Sequence, residues 1–215
     1  MIGKARAFLF VAVLGLISSV KIMHVALSEI HVADTPQNRV IDTFIDAINL
    51  DYKHIPLASR SFFKALAVSE SGNNYQTINK YGYIGKYQFG EQTLIALGYY
   101  LPDGTRRNDW IGEWTGKDGI FSKEDFLASE IVQDKAAISL ASSNWDVATR
   151  NNLDSYIGKQ IKGALITKAG IVAGMHLKGA QSVIDFVKSN QDSQDAFGTS
   201  VHAYMKRFSV YQVAL

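Results

Sequence analysis

The sequence predicts a mainly α-helical domain interrupted by a small irregular or β segment. Three observations predict it. Phe62, Phe63, Leu66 and Ala67 recur at helical spacing within 61–70. Residues 73–90 break that rhythm with Tyr75, Tyr81, Tyr83 and Tyr87 among Gly82, Gly85 and Gly90, a mixture that suits turns and short strands. From Ser122 onward, apolar residues return to helical spacing over most of the remaining chain. At 215 residues, 47% hydrophobic and 20% charged, the chain is globular and long enough for one substantial core plus a small extra segment.

The N-terminus begins with Lys4 and Arg6, followed by apolar or small residues from Ala7 to Val20, and Lys21 ends the run. Fourteen helical residues reach about 21 Å, short of the roughly 30 Å hydrocarbon core. A basic start before a short apolar run is the pattern of a secretory signal. Extended to Leu27, the same run makes an uncleaved membrane anchor, and both readings stay open. Either one puts the remainder outside the cytoplasm, in the periplasm or cell envelope, with Lys4 and Arg6 inside. Residues 1–33 are therefore taken as signal or anchor with linker, and 34–215 as the working domain.

Within that domain, Val40, Ile41, Phe44, Ile45 and Ile48 predict an amphipathic helix over 38–50. Pro56 breaks the chain before the next helix, which Gly72 ends, since a left-handed residue costs glycine little. Residues 91–97 return to helix. Residues 102–122, rich in Gly, Asp and Trp, read as a long surface loop. Ser122-Lys123-Glu124-Asp125 reads as a helix N-terminus, continued by Phe126, Ile131, Ile138 and Leu140. Further helices are expected over 151–162, 165–176, 180–189 and 193–211.

Glu70 is the candidate to carry chemistry. It stands on the last turn of the apolar helix, where the chain enters the Tyr- and Gly-rich segment. A carboxyl withdrawn from water holds its proton, which a general acid requires; a solvated helix-end glutamate is the plainer alternative. Ser69-Glu70-Ser71-Gly72, then Tyr75, then Gly85-Lys86-Tyr87-Gln88 within 83–90, resemble the lysozyme-like superfamily. The similarity is to its soluble lytic transglycosylases and phage-type peptidoglycan hydrolases. Gly170 to Gly179, with Ala173, His176 and Leu177, is similar to that family's third motif, where His176 replaces the usual Tyr. Residues 110–119 and Gln133-Asp134-Lys135-Ala136 extend the resemblance to about residues 58–190.

The resemblance implies a lysozyme-like α+β fold and cleavage of the β-1,4 bond between the two amino sugars of peptidoglycan. Such cleavage needs an acid to protonate the leaving oxygen and a base to deprotonate the attacker. In a lytic transglycosylase, Glu70 alone takes both roles. A hydrolytic muramidase would add a second carboxylate, for which Asp103, Asp109, Glu113, Asp118 and Glu91 are candidates. A non-catalytic glycan-binding or envelope-assembly protein is the third reading. Ser71 either steadies Glu70 or substrate, or is a plain helix-end hydroxyl. Gln88 either bonds an N-acetyl group or is a buried amide satisfied by backbone. Tyr75, Tyr83 and Tyr87 are candidates to stack on sugars, with some of them core. Gly85 either admits the glycan or serves turn geometry. His176 either contacts Glu70 and the cleft floor or is a core histidine.

The remaining features exclude other classes. Net charge is +2, from 22 basic and 20 acidic residues, so no nucleic-acid partner is expected. The absence of Cys excludes disulfides, thiolate catalysis and thiolate zinc sites. The five His show no metal spacing, and neither metal nor cofactor is expected. Peptidoglycan strands are the expected partner, with membrane anchoring and secretion or envelope machinery as further possibilities.

Overall fold

Phe62, Phe63, Leu66 and Ala67 fall on one face of helix α1 (Arg60–Ser71), and all four are buried. A single 3-10 turn, Leu57–Ser59, leads into it after Pro56. Gly72 ends it at φ 65°, with its N–H donating to Val68 O at 3.1 Å. The computed structural model describes residues 55–215 of a chain that divides into two units, Met1–Asp51 and Tyr52–Leu215. The apolar N-terminal run, the boundary at 33/34 and the helix expected over 38–50 lie outside the described residues.

The domain is mainly helical. After α1 come α2 (Glu91–Ala96), α3 (Lys123–Ala128), α4 (Glu130–Arg150), α5 (Lys168–Lys178), α6 (Ala180–Ser189) and α7 (Val201–Phe208). The helix expected to run on from Ser122 is two helices. Ser129 leaves helical geometry at φ −100°, ψ 92°, and its Oγ accepts from Val132 N–H to start α4. The helix expected over 151–162 is replaced by a 3-10 turn at Asp154–Tyr156 and an antiparallel hairpin, β1 (Gln160–Ile161) with β2 (Ala164–Leu165). Asn152 at φ 56° ends the preceding helix, and Lys162 and Gly163 at positive φ make the hairpin turn. The expected 193–211 helix is shortened to α7, because Asp195 organises a turn ahead of it, accepting from the N–H groups of Phe197 (2.9 Å) and Thr199 (2.7 Å).

The Tyr/Gly segment 73–90 is irregular, as its composition predicts. It is held by isolated bridges, Ile78 with Ile84 and Ile84 with Phe89. Helix α5 lies at the centre, packing against α4, α6 and α7. Its buried run from Ala169 to Met175 includes Gly170 and Gly174. A Cβ on Gly170 would stand 2.9 Å from Met205 O, and one on Gly174 2.8 Å from Met205 Cγ. Two glycines four residues apart therefore let α7 approach α5 at backbone distance. That approach positions Tyr204 of α7 for the site.

Candidate functional site

Two segments meet the end of α1 and form a cleft of about 400 Å³, within the range of small-ligand sites. The 77–88 turns supply Thr77, Asn79, Tyr81, Tyr83 and Gln88. The 195–199 turn and α7 supply Asp195, Phe197, Tyr204 and Arg207, and α5 supplies His176.

Glu70 is half-buried, with its carboxylate in this cleft. The Tyr204 hydroxyl donates a hydrogen bond to its Oε1. Tyr204 is itself buried, and burial together with the adjacent Glu70 charge pushes its phenol far above the ordinary range. It therefore remains a donor at any physiological pH. Beside it, Arg207 Nη1 donates to Ser69 Oγ at 2.9 Å, and its guanidinium lies 5.6 Å from the Tyr204 ring centre.

Gln88 and Tyr83 do reach the cleft. Gln88, at φ 51°, donates through Nε2 to Gly85 O at 2.8 Å, so its amide plane is fixed by backbone while it lines the cleft. Tyr83 is exposed, its ring close over Gly90. His176 also lines the cleft, but its Nε2 lies 2.9 Å from Tyr87 O rather than on Glu70. A carbonyl only accepts, so Nε2 carries the proton. Tyr204 thus occupies the contact with Glu70 that the sequence offered to His176.

Four expected cleft residues lie elsewhere. Ser71 Oγ donates to Lys86 O at 2.7 Å and accepts from Asn74 N–H at 3.0 Å, tying α1 to the Tyr/Gly segment. Gly85 faces the interior at φ 77°, where a Cβ would stand 2.3 Å from Gln133 Oε1. Tyr87 is fully buried and donates to Asp134 Oδ1 at 2.9 Å. Tyr75 bonds to the same carboxylate at 3.2 Å and to Lys86 Nζ at 2.8 Å. For Gly85, Tyr87 and Tyr75 the common cause is the pair Gln133–Asp134 on α4. Gln133 accepts from Lys86 N–H and donates to Phe126 O, Leu127 O and Tyr75 O. Asp134 gathers Lys86, Tyr75 and Tyr87. Tyr75, Lys86 and Tyr87 thus point inward to Asp134, while Thr77, Asn79, Tyr83 and Gln88 of the same segment face the cleft.

Tyr204, Arg207, Asp195, Phe197 and Tyr81 escaped the sequence reading. Val201, Tyr204, Met205 and Phe208 sit at the spacing of a buried helix face, so Tyr204 reads as core from sequence. Tyr81 and Phe197 meet edge-to-face at 5.2 Å, joining the two segments that line the cleft. The carboxylates offered as a second acid, Asp103, Asp109, Glu113, Asp118 and Glu91, are absent from the cleft lining; Asp195 is present. No protein-family model, curated protein or solved structure matches this chain.

Proposed function

We propose that this chain is a peptidoglycan lytic transglycosylase in which Glu70 is the single acid/base. The observation that carries the reading is the Glu70 carboxylate held by the Tyr204 hydroxyl inside a cleft bordered by Gln88 and Tyr83. The likeness of Glu70-Ser71 and Gly85–Gln88 to that family supports it. Glu70 protonates the leaving glycosidic oxygen as the C1–O4 bond breaks. Its carboxylate then takes the proton of the C6 hydroxyl as O6 closes onto C1, which restores the acid and leaves a 1,6-anhydro end. Tyr204, always protonated, steadies the carboxylate between these steps. Substrate would be peptidoglycan strands outside the cytoplasm.

Asp195 supports a second reading, hydrolysis on the same site. It is the other carboxylate of the cleft, with Oδ1 occupied by two backbone N–H groups. In that reading Asp195 orients water against C1.

Mass spectrometry of peptidoglycan digested by the full chain separates them. Anhydro ends that disappear with Glu70→Gln and persist with Asp195→Asn are the expected result. Reducing ends that disappear with either variant would replace transglycosylation by hydrolysis. No release by the wild type, with strand binding intact, would leave a binding protein.

A further inference from the structure

Glu91, Asp103 and Asp109 converge away from the cleft. The sequence scatters them over 91–109 without a metal-binding motif, and the fold brings one oxygen from each within 4.8 Å of the others. Glu91 opens α2 and is 0% exposed. Its Oε1 accepts from Trp110 N–H, while its buried Oε2 has no hydrogen-bond partner. Asp103 repeats the pattern: one oxygen accepts from Thr105 N–H at 2.8 Å, and the buried Oδ2 has no partner. No ion pair between a described Lys or Arg and these three residues is formed. Three carboxylates with two orphaned buried oxygens are strongly unfavourable unless a positive charge joins them.

We propose that Glu91, Asp103 and Asp109 bind a divalent cation, calcium in preference to magnesium, outside the catalytic cleft. The donor set is all carboxylate oxygen, which suits hard cations. A separation of up to 4.8 Å between the oxygens favours the longer bonds of about 2.3–2.6 Å and the flexible geometry of calcium over the bonds of about 2.0–2.1 Å and strict octahedron of magnesium. Asp109 is exposed, so water completes the coordination shell. Burial and the two neighbouring aspartate charges also push the Glu91 carboxyl above its ordinary range, the shift that a bound cation reverses.

The cation would pin the 101–115 loop to the start of α2. That loop in turn holds the cleft rim. Asn108 Oδ1 accepts from Glu91 N–H at 2.8 Å, its Nδ2 donates to Tyr81 O at 3.2 Å, and Trp110 Nε1 donates to Gly82 O at 2.7 Å. The site thus acts on Tyr81 and Tyr83 through the turn between them.

Terbium luminescence tests this on the full chain after chelator treatment, with Trp110 as sensitiser. One terbium per chain, displaced by calcium, is expected, together with a rise in Tm of about 5 °C at calcium roughly a hundredfold above its Kd. Asp109→Asn, at an exposed position, is expected to fold normally and weaken binding at least about tenfold; Glu91→Gln is expected to remove it. Absence of both terbium emission and a calcium-dependent Tm in the wild type overturns the site, as does unchanged affinity in both variants. A Tm that responds to acid alone and never to calcium also overturns it, since a shared proton then settles the cluster. None of these readouts involves turnover, so the site stands or falls independently of the proposed lytic activity.

Discussion

Glu70 and Asp134 are both carboxylates bonded to tyrosine hydroxyls, yet their surroundings are opposite. Asp134 is fully buried and has its partners complete: Lys86 Nζ at 3.4 Å, Tyr87 at 2.9 Å and Tyr75 at 3.2 Å. Glu70 is half-buried at the cleft, with Tyr204 on one oxygen. A carboxylate surrounded on all sides by protein donors has nothing left to offer a substrate; it fastens a loop. One held on a single side remains available to a reacting group. Chemistry is therefore expected at Glu70 and stability at Asp134, and each exchange of roles is measurable.

The largest effect should come from Glu70→Gln. Tyr204 can still donate to the amide oxygen, so Tm is expected to stay within about 2 °C while turnover of peptidoglycan falls by about 10³-fold. A large fall in Tm without loss of turnover would reverse the comparison. Asp134→Ala should do the opposite. It strips Lys86, Tyr75 and Tyr87 of their common acceptor in the interior, at a cost of about 3 kcal/mol, or about 6–12 °C in Tm. Thermal unfolding followed by circular dichroism measures the fall, and the folded fraction should keep turnover within a few-fold.

Tyr204→Phe sharpens the comparison from the other side. It removes one hydroxyl and keeps the ring packed on Phe208, centroids 4.8 Å apart. A hydrogen bond to a charged group contributes about 1.5–3 kcal/mol, so kcat should fall about 10- to 100-fold. KM should move little, since Tyr204 is expected to serve the carboxylate and not to grip the glycan. A change confined to KM would make Tyr204 a binding residue.

How much of this was legible in sequence differs between the same two regions. The apolar spacing of α1 and the Gly72 stop located Glu70 directly, because both signals are local. Helix was legible over most of α1 to α7 for the same reason, but not the break at Ser129 that divides α3 from α4, and Asn152 and the Lys162–Gly163 turn overrode the periodicity that predicted helix over 151–162. The tyrosines were not separable, because Tyr75, Tyr83 and Tyr87 share one composition and differ in direction. Which of them point inward is decided by Asp134, 47 residues beyond Tyr87. Tyr204 was hidden for a related reason: its register is that of a core residue, and only the close α5–α7 contact at Gly170 and Gly174 brings its hydroxyl to Glu70.

The smallest expected effect concerns pH and uses Asp134→Asn, which resembles the protonated acid in shape. Burial outweighs Lys86 and the two phenol donors and pushes the Asp134 carboxyl above its ordinary value of 3.8. The folded state then binds this proton more tightly than the unfolded chain does. The associated stability is fully present below that ordinary value and is lost as pH rises through the raised folded value. Measured against Asp134→Asn, which cannot titrate there, the wild type should lose Tm as pH climbs from about 3.5 toward neutrality, by a few degrees at most. At neutral pH the Asn variant should accordingly be much less damaged than Asp134→Ala, since what the interior needs at this point is an acceptor for Lys86, Tyr75 and Tyr87 more than a full negative charge. If the wild type instead gains Tm over that range relative to Asp134→Asn, the ion pair with Lys86 dominates burial, and Asp134 stabilises the loop as a charge.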